Sequence, residues 1–438
     1  MSDIKEKSLK YNMHSWSTQG ALNPKVITKA EGIYFYDEDG NKYADMSSQL
    51  VNLNLGHHNK GLIDAIKAQA DLMPFMGPGF AVEARSNAAE ALVKMSGLEG
   101  AKVFFTNAGA EANENAIKIA KQYTGKWKIL SMQRCYHGAS AGAGCLTGEP
   151  RHFANEPGPA GFVHFEGPYP YYAPAAVKFN SDDEIADYYL DLLQRTINTE
   201  GAQNIAAIFV ETVVGSNGIL IPPKKYLQGL RKICTDNNIC MVCDEVMAGF
   251  YRTGKPFAYM NFDVEPDLVS FAKGATCGYV PLGGVILNGP IAKHFNDHKL
   301  ICGLTYNGHP MGCACTVAAI EEYKNQNVEE NVAKQGKVLG EILEDLKAKH
   351  KCVGDVRYIG LFAGVELVRK PHVPLVPYGN DAEGVMAKIC GMLTKEGFFT
   401  YSHESVIIVA PPLIIKEDEL RDAMKILDKI LDSVDKMI

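Results

Sequence analysis

The chain has 438 residues, 46% of them hydrophobic, so it is long enough to bury a large core and to divide into two domains. Its formal net charge of −7, with no run of basic residues, argues against nucleic acid or an anionic membrane as a partner. The 11 cysteines are irregularly spaced, which indicates reduced thiols rather than a disulfide framework or a metal site. The N-terminus lacks the apolar segment of a signal peptide, and no apolar run reaches transmembrane length. We therefore expect a soluble, cytoplasmic protein.

Strand and helix patterns alternate along most of the chain. Residues 26–45 alternate as strands do, with a hairpin turn at 37–40, and residues 61–72 and 82–95 have helical periodicity. Further strands are predicted at 102–106, 128–131, 205–210, 239–243, 268–271 and 284–287, with helices from 107 to about 123, at 181–196 and at 223–237. Such alternation favours a mostly parallel α/β sheet covered on both faces.

The remaining segments depart from this alternation. Residues 148–178 form a long excursion rich in Gly and Pro, and excursions of this length are more often functional than idle. Beyond residue 310 the pattern predicts long helices at 310–326 and 331–350, strands within 353–368, a helix at 381–396 and a last helix from Glu417.

Charged residues follow three of the predicted parallel strands. Glu211 follows strand 205–210, Asp244 follows strand 239–243, and Lys273 follows strand 268–271. Ligands bind beyond the carboxyl ends of parallel strands, so these side chains would face one crevice. A lysine with small neighbours and little water favours its neutral amine, which can form a Schiff base. On its own, Lys273 would more often be a solvated surface lysine.

Two other strand ends carry residues suited to a flat, phosphorylated ligand. Gly109 and Ala110 lie where a strand leads into a helix N-terminus, whose free N–H groups and dipole bind phosphate. Tyr136 and His137 follow the next strand, where an aromatic side chain can stack on a ring. A carboxylate such as Asp244 can keep a pyridine nitrogen protonated. Each feature alone has an ordinary structural explanation, but together they are the set that pyridoxal 5′-phosphate (PLP) requires.

In chain order, seven segments resemble the motifs of the class III aminotransferases, a PLP-dependent family. They are residues 107–114, 136–138, 211–218, 244–254, 273–274, 305–310 and 411–413. The resemblance extends from about residue 14 to 425. It implies the α/β fold type I of PLP-dependent transferases, with a mostly parallel seven-stranded sheet in a large domain at 56–312. It also implies a small α+β domain built from both termini, residues 1–55 and 313–438.

The resemblance implies a role for each residue around the cofactor ring. Lys273 matches the lysine that binds the cofactor covalently and moves the proton. Asp244 matches the partner of the pyridine nitrogen, and Val246 the residue packed on one ring face. Tyr136 matches the aromatic side chain on the other face, and His137 belongs to the same cofactor-binding segment.

Four further matches concern the phosphate, the ring hydroxyl and the scaffold. Gly109 and Ala110 match the phosphate-binding amides, and Glu211 matches a carboxylate near the ring hydroxyl and the substrate. Thr305 matches a residue that reaches the phosphate of the neighbouring subunit, which implies a homodimer with shared active sites, with tetramers left open. Arg252 is expected to be structural rather than catalytic.

The implied reaction moves an amino group from a small-molecule donor to a 2-oxo acid. Family members that act on 4-aminobutyrate or ornithine often carry an arginine just before the motif at 411–413, and residues 405–410 contain none. The chain is more similar to the branch acting on ω-amino acids, with taurine and 2-oxoglutarate as the leading pair. A β-alanine or 4-aminobutyrate enzyme, with pyruvate as an alternative acceptor, and a PLP lyase or aminomutase remain open. A nucleotide-dependent oxidoreductase is disfavoured because no G-x-G-x-x-G opens the sheet.

Two residues are candidates for the substrate pocket. Trp16 resembles the aromatic residue lining that branch's pocket, although packing between the domains is an equal alternative. Arg151, in the long excursion, could bind a carboxylate or sulfonate through two N–H groups, although a solvated loop arginine is the alternative.

Overall fold

A computed structural model describes residues 3–174 and 176–438. Its strands are β1 (Ile27–Glu31), β2 (Tyr34–Asp37), β3 (Lys42–Asp45), β4 (Lys102–Thr106), β5 (Lys128–Met132), β6 (Phe162–Phe165), β7 (Ile205–Glu211), β8 (Cys240–Asp244), β9 (Leu268–Phe271), β10 (Gly283–Leu287), β11 (Val353–Ile359), β12 (Phe362–Lys370), β13 (Val373–Pro374), β14 (Phe398–Phe399), β15 (Ser402–His403) and β16 (Val406–Val409). Its helices are α1 (Asp3–Tyr11), α2 (Ser48–Val51), α3 (Lys60–Leu72), α4 (Glu83–Ser96), α5 (Gly109–Thr124), α6 (Ala141–Leu146), α7 (Asp182–Glu200), α8 (Lys224–Asp236), α9 (Gly289–His294), α10 (Pro310–Asn325), α11 (Val328–Lys349), α12 (Val385–Lys395) and α13 (Glu417–Val434).

The largest sheet has seven strands in the order β4-β10-β9-β8-β7-β5-β6. Pairing is parallel from β9 to β6, whereas β10 runs antiparallel to both β4 and β9. This confirms the mostly parallel seven-stranded sheet. The strand β6 was missed in the sequence because it lies inside the Gly- and Pro-rich excursion, where four residues give too short a pattern.

Strands β7 and β8 are buried at every position, because helices cover both faces of the sheet. Helix α5 packs on β7, β8, β9 and β10, while α7 and α8 pack together elsewhere on the sheet. Burial on both faces explains why the sequences of these two strands are almost entirely apolar up to the acidic residues at their ends. The sheet is therefore a rigid base that brings the carboxyl ends of its strands to one edge.

Both ends of the chain contribute to the smaller sheets. The order β1-β2-β3-β14 places β14 beside β3 in parallel, with Phe398 opposite Ala44, so distant segments pair directly. A second sheet, β11-β12-β16-β15, carries β13 on β12. This agrees with a small unit drawn from both termini, while the boundaries at 55/56 and 312/313 stay a prediction.

Some predicted helix bounds were wrong by a few residues. The helix predicted at 381–396 begins at Val385, because the carboxylate of Asp381 accepts the N–H groups of Val385 and Met386 and caps the helix from outside. The cysteines are all free thiols, and those of β8 and α10 are buried. Among the described residues, none of the helices combines the length and the apolar character needed to cross a membrane.

Candidate active site

The carboxylates of Glu211 and Asp244 end neighbouring strands. Glu211 is opposite Asp244 in the β7–β8 register, and Asp244 is opposite Ser270 in the β8–β9 register. Both carboxylates are 4% exposed. The oxygens of Glu211 accept the backbone N–H of Tyr136 at 2.8 Å and that of Gly215 at 2.8 Å. Burial raises the pKa of Glu211, and the nearby Asp244 charge raises it further.

Asp244 is held by side chains from two other elements. Its Oδ2 accepts hydrogen bonds from Asn113 Nδ2 at 2.7 Å and from His137 Nδ1 at 2.7 Å, while Oδ1 accepts the N–H of Val246 at 3.0 Å. Asn113 is fixed in turn, because its Oδ1 accepts from Ser270 Oγ at 2.6 Å. The network therefore holds the Asp244 carboxylate in a fixed orientation at the sheet edge.

His137 is part of this network rather than an isolated ring. Its side chain is buried, and its Nε2 has no hydrogen-bond partner among the described residues. Burial lowers the pKa of His137, but the neighbouring Cys135 and the hydrogen bond to Asp244 raise it, with a net rise well above its ordinary value. His137 therefore presents a charged N–H group to the Asp244 carboxylate.

Lys273 lies directly after β9 in a left-handed backbone conformation, with φ of 43°. Its Nζ forms no hydrogen bond or ion pair with any residue that the structure describes. Burial lowers the pKa of Lys273, and this effect outweighs the opposing influence of Asp244 and Glu211. The site thus holds an amine that is available for chemistry and biased towards its neutral form, as expected from its small neighbours.

The N-terminus of α5 approaches the same place. A Cβ on Gly109 would lie 2.8 Å from both methyl groups of Val246, so only glycine allows this contact. Gly138, with φ of 137°, is packed in the same way against Ala110. The first N–H groups of this 16-residue helix are thereby brought beside the segment that follows Asp244. Such a helix end is an anion-binding cradle.

Two aromatic rings and a guanidinium line the crevice. The Arg151 Cζ lies 4.0 Å from the centroid of the Tyr136 ring and 5.6 Å from that of Trp16. The two rings meet edge to face at a centroid distance of 6.4 Å. The carboxylate of Glu149 accepts from Arg151 Nε, and Ser216 Oγ accepts from Nη2 at 2.9 Å. The structure therefore brings Trp16 and Arg151 together with Tyr136.

Thr305 lies in a loop away from the strand ends and, in the described part of the chain, has no hydrogen bond or ring contact with the other predicted site residues. It is exposed, in the loop between α9 and α10. The same loop returns to the sheet through Asn307, whose Nδ2 donates to the Phe105 carbonyl at 2.8 Å. Its role at a neighbouring subunit stays a prediction.

Arg252 is fully buried and holds separate segments together. Its Nη1 donates to the carbonyls of Leu361 at 2.9 Å and Pro411 at 2.6 Å, and its Nη2 donates to Ser48 and Asn54. Burial lowers the pKa of Arg252 to about 10. These bonds agree with the structural role expected from the sequence.

Sequence reasoning missed Asn113, Ser270 and Glu149. Asn113 and Ser270 lie inside segments that were singled out, but a buried amide and hydroxyl resemble ordinary polar positions until their partners are known. Asn113 could have been noticed from its position, because it lies one turn after the start of the helix whose N-terminus is predicted to bind phosphate. Nothing local distinguishes Glu149, because its contact with Arg151 depends on how the loop folds.

Together these residues fit PLP: a glycine-lined helix end for the phosphate, an oriented acid for the pyridine nitrogen, and a free buried amine for the aldehyde. Fold and site therefore define a PLP-dependent enzyme of fold type I. A family model, Aminotransferase class-III, matches residues 17–431. The chain belongs to the class III aminotransferases, and PLP is its cofactor.

Similar proteins span almost the whole chain. A taurine:2-oxoglutarate aminotransferase from Bifidobacterium kashiwanohense, solved with PLP and glutamate, is 44% identical, covers 99% of this chain and 98% of its own, and has a TM-score of 0.96. An omega-aminotransferase from Caulobacter vibrioides is 32% identical over 94% of both chains. A probable 4-aminobutyrate aminotransferase from Bacillus subtilis is 30% identical, covering 93% of this chain and 92% of its own.

Proposed function

We propose that this aminotransferase takes its amino group from an ω-amino acid or aminosulfonate, with taurine as the leading donor and 2-oxoglutarate as the leading acceptor. The observation that carries this proposal is the position of Arg151, whose guanidinium lies on the Tyr136 ring in the crevice of Lys273. The taurine:2-oxoglutarate aminotransferase that is 44% identical supports the same pair.

Arg151 is suited to hold the acidic end of such a donor. A guanidinium has five N–H donors in a planar fork. Within the described residues, Glu149 and Ser216 each take one donor, which leaves three for a ligand. Stacking on Tyr136 fixes the plane of the fork, and planar two-point recognition suits a carboxylate or a sulfonate.

The segment 405–410 offers no competing cation. It overlaps β16, which is buried along its length. Nearby, burial lowers the pKa of His403 to about 4, with Arg151 and Arg134 lowering it further, so this imidazole is neutral at physiological pH. Arg151 is therefore the residue we assign to the acid group.

The chemistry divides among the remaining residues. Bound PLP supplies an aldehyde that accepts the amino group and a ring that withdraws electrons from the neighbouring carbon. Asp244 would hold the proton on the ring nitrogen, with Tyr136 and Val246 on the two faces of the ring and the α5 N-terminus at the phosphate. Lys273 Nζ would take the proton from the donor carbon, since a lowered pKa provides a neutral amine.

We also propose a homodimer in which Thr305 completes the phosphate site of the partner subunit. Thr305 is exposed, and its neighbour Tyr306 exposes 54% of its surface. Ile301, in the same loop, is 72% exposed. An apolar surface on a loop anchored beside β4 suits burial against a second copy. Thr305→Ala should weaken PLP binding without changing the dimer, which titration and sedimentation would measure.

A 4-aminobutyrate or β-alanine donor is the second candidate, and the Bacillus subtilis relative favours 4-aminobutyrate. These donors also present an acid group to Arg151, so the crevice alone does not separate them from taurine. A lyase or aminomutase would form product without an oxo-acid acceptor, whereas a transaminase requires one for turnover.

The test is a spectral screen of the half-reaction. Purified enzyme is mixed with taurine, β-alanine, 4-aminobutyrate or ornithine, and conversion of the cofactor from its aldehyde to its amine form is followed by absorbance. We expect taurine to react fastest. Conversion by ornithine with no response to taurine would refute the assignment.

Arginine variants then test the acid clamp. Losing a charge-assisted pair costs about 1.5–3 kcal/mol, so Arg151→Gln should lower the efficiency with taurine about 10- to 150-fold. A neutral arylalkylamine should be affected much less. Arg195→Gln is the matched control, because Arg195 is a surface residue paired only with Asp191 among the described residues. Equal losses with taurine and the neutral amine would exclude Arg151 as the clamp.

A further inference from the structure

Two adjoining cavities lie beside the active site. Their volumes are about 230 Å³ and 170 Å³, and both are lined by Arg134, Tyr169 and Tyr172. The larger extends to Glu211 and Tyr226, and the smaller lies against β12 and the start of β16. They occupy the junction of the β5 end, the long excursion and the C-terminal sheet. Arg151 and Lys273 line neither of them.

The guanidinium of Arg134 has no carboxylate partner in the described part of the chain. It lies 4.1 Å from the Tyr378 ring centroid and 5.0 Å from that of Tyr169, and Glu404 acts on its charge without forming an ion pair. By contrast, Arg357, close by, donates to Glu366 at 2.8 Å and to Asp355 at 3.0 Å. A partly buried guanidinium without an anion is unusual, because such charges are normally paired.

None of the acids near Arg134 in the described residues forms an ion pair with it. Glu366 already accepts from Arg357, Tyr169 and Tyr172. Glu404 lines the smaller cavity, but it forms no ion pair with Arg134 and accepts the backbone N–H of Gly379 instead. Glu166, on the rim of the larger cavity, is exposed and likewise unpaired with Arg134. Arg134 is therefore the positively charged side chain in the lining of the two cavities, and no acid of the described residues pairs with it directly.

Two buried donors without partners line the same cavities. Asn217 is 3% exposed, and its Oδ1 accepts from His403 Nε2 at 3.1 Å, but its Nδ2 has no partner in the part of the chain that the structure describes. Tyr226 is fully buried, and its hydroxyl has no partner among the described residues. Leaving a buried donor unsatisfied costs about 1–3 kcal/mol. An acceptor-bearing ligand with an apolar body would relieve these costs.

We propose that the two cavities form a second binding site, for a small organic carboxylate that carries an aromatic or aliphatic body. The acid group pairs with Arg134, and the apolar body lies among the tyrosine rings. Glu211 lines the larger cavity and also accepts the N–H of Tyr136. A ligand in the cavity would therefore contact a residue that positions Tyr136, the side chain predicted to stack on PLP. A ligand here would act as an effector rather than as a substrate.

The probes are benzoate and its neutral counterpart benzamide, titrated into the PLP-loaded enzyme by calorimetry. We expect benzoate to bind and benzamide to bind at least tenfold more weakly. Arg134→Gln should weaken benzoate at least tenfold, whereas Arg151→Gln should leave it unchanged. Anomalous scattering from a crystal soaked with 4-bromobenzoate would place the bromine inside the larger cavity, against the Tyr169 and Tyr172 rings.

Several outcomes would overturn the proposal. Benzoate affinity that is the same in Arg134→Gln, or lost in Arg151→Gln, would place the acid elsewhere. If Arg134→Gln does not fold, Asn217→Asp gives a second test: a nearly isosteric negative charge should weaken benzoate, and unchanged affinity would reject the site. The screen of amino donors depends on Arg151, whereas benzoate binding depends on Arg134. The proposed donor and the proposed second site can therefore be refuted separately.

Discussion

Replacing Gly109 by alanine tests the contact between the phosphate cradle and the ring site. The added Cβ would lie 2.8 Å from Val246 Cγ1 and Cγ2, well inside the 3.4–4 Å of an ordinary contact. Val246 is β-branched and its N–H is bonded to Asp244, so its methyl groups can yield only by moving into the crevice. Overpacking of this kind costs about 1–3 kcal/mol.

Most of that cost should fall on the PLP-bound state. Without cofactor, Val246 can move into the crevice, whereas a bound ring would block that movement. The dissociation constant of PLP, measured by absorbance titration of the apoprotein, should therefore rise roughly 5- to 150-fold.

Gly391→Ala is the matched control for this change. Nothing lies within 4 Å of its added Cβ, and Gly391 is inside α12. Alanine there should raise the free energy of unfolding by up to about 1 kcal/mol and leave PLP affinity unchanged. A Gly109→Ala protein with wild-type PLP affinity would refute the idea that the α5 N-terminus and Val246 enclose one ligand.

Three other changes test the network around the site. Asn113→Ala removes a donor to Asp244, so the donor half-reaction measured by stopped flow should slow about 10- to 100-fold, and an unchanged rate would exclude a positioning role. Arg252→Ala leaves four acceptors unsatisfied and should cost at least about 3 kcal/mol in urea unfolding; a loss below 1 kcal/mol would contradict its structural role. Glu245, next to Asp244, is fully buried, and its carboxylate accepts from Thr212 Oγ1 at 2.6 Å and from the N–H groups of Ala258 and Tyr259. Burial outweighs these donors and raises the pKa of Glu245 from 4.5 to about 7, so the native state binds its proton more tightly than the unfolded state. Stability from this group is present below about pH 4.5 and is lost as the pH rises to about 7, roughly 3 kcal/mol in all. Glu245→Gln should abolish that part of the pH dependence, as unfolding at pH 5 and pH 7.5 would show.

The main elements of the fold could be predicted because its strands are buried on both faces. Continuous apolar runs such as β7 and β8 stand out, and each ends at a charged residue that burial would otherwise exclude. Strand β6 could not be found in this way, since it is short and enclosed by turn-forming residues. The start of α12 was misplaced because Asp381, which caps it, lies four residues outside the helix.

Some residues of the candidate site could likewise be predicted from the sequence, and others could not. Lys273 and Asp244 were recognisable because each follows a strand, and strand ends of a parallel sheet meet at one edge. Asn113 was not recognisable, because its role depends on a hydrogen bond to Asp244, a residue 131 positions away in the chain. The sequence did not single out Arg134 for a similar reason. That tyrosine rings surround it, and that no described carboxylate pairs with it, is visible only in the folded chain.

By itself, the amino-acid sequence determined that this chain forms an α/β sheet whose strand ends carry an amine, two acids and a phosphate cradle. These features can be predicted from short segments, because each depends on an apolar run and on the residues that directly follow it. Only the tertiary structure decided which polar side chains orient Asp244, how Arg151 is presented on Tyr136, and that Arg134 has no carboxylate partner among the described residues. Hydrogen bonds and charge pairing depend on distances between segments far apart in the chain, and packing alone sets those distances.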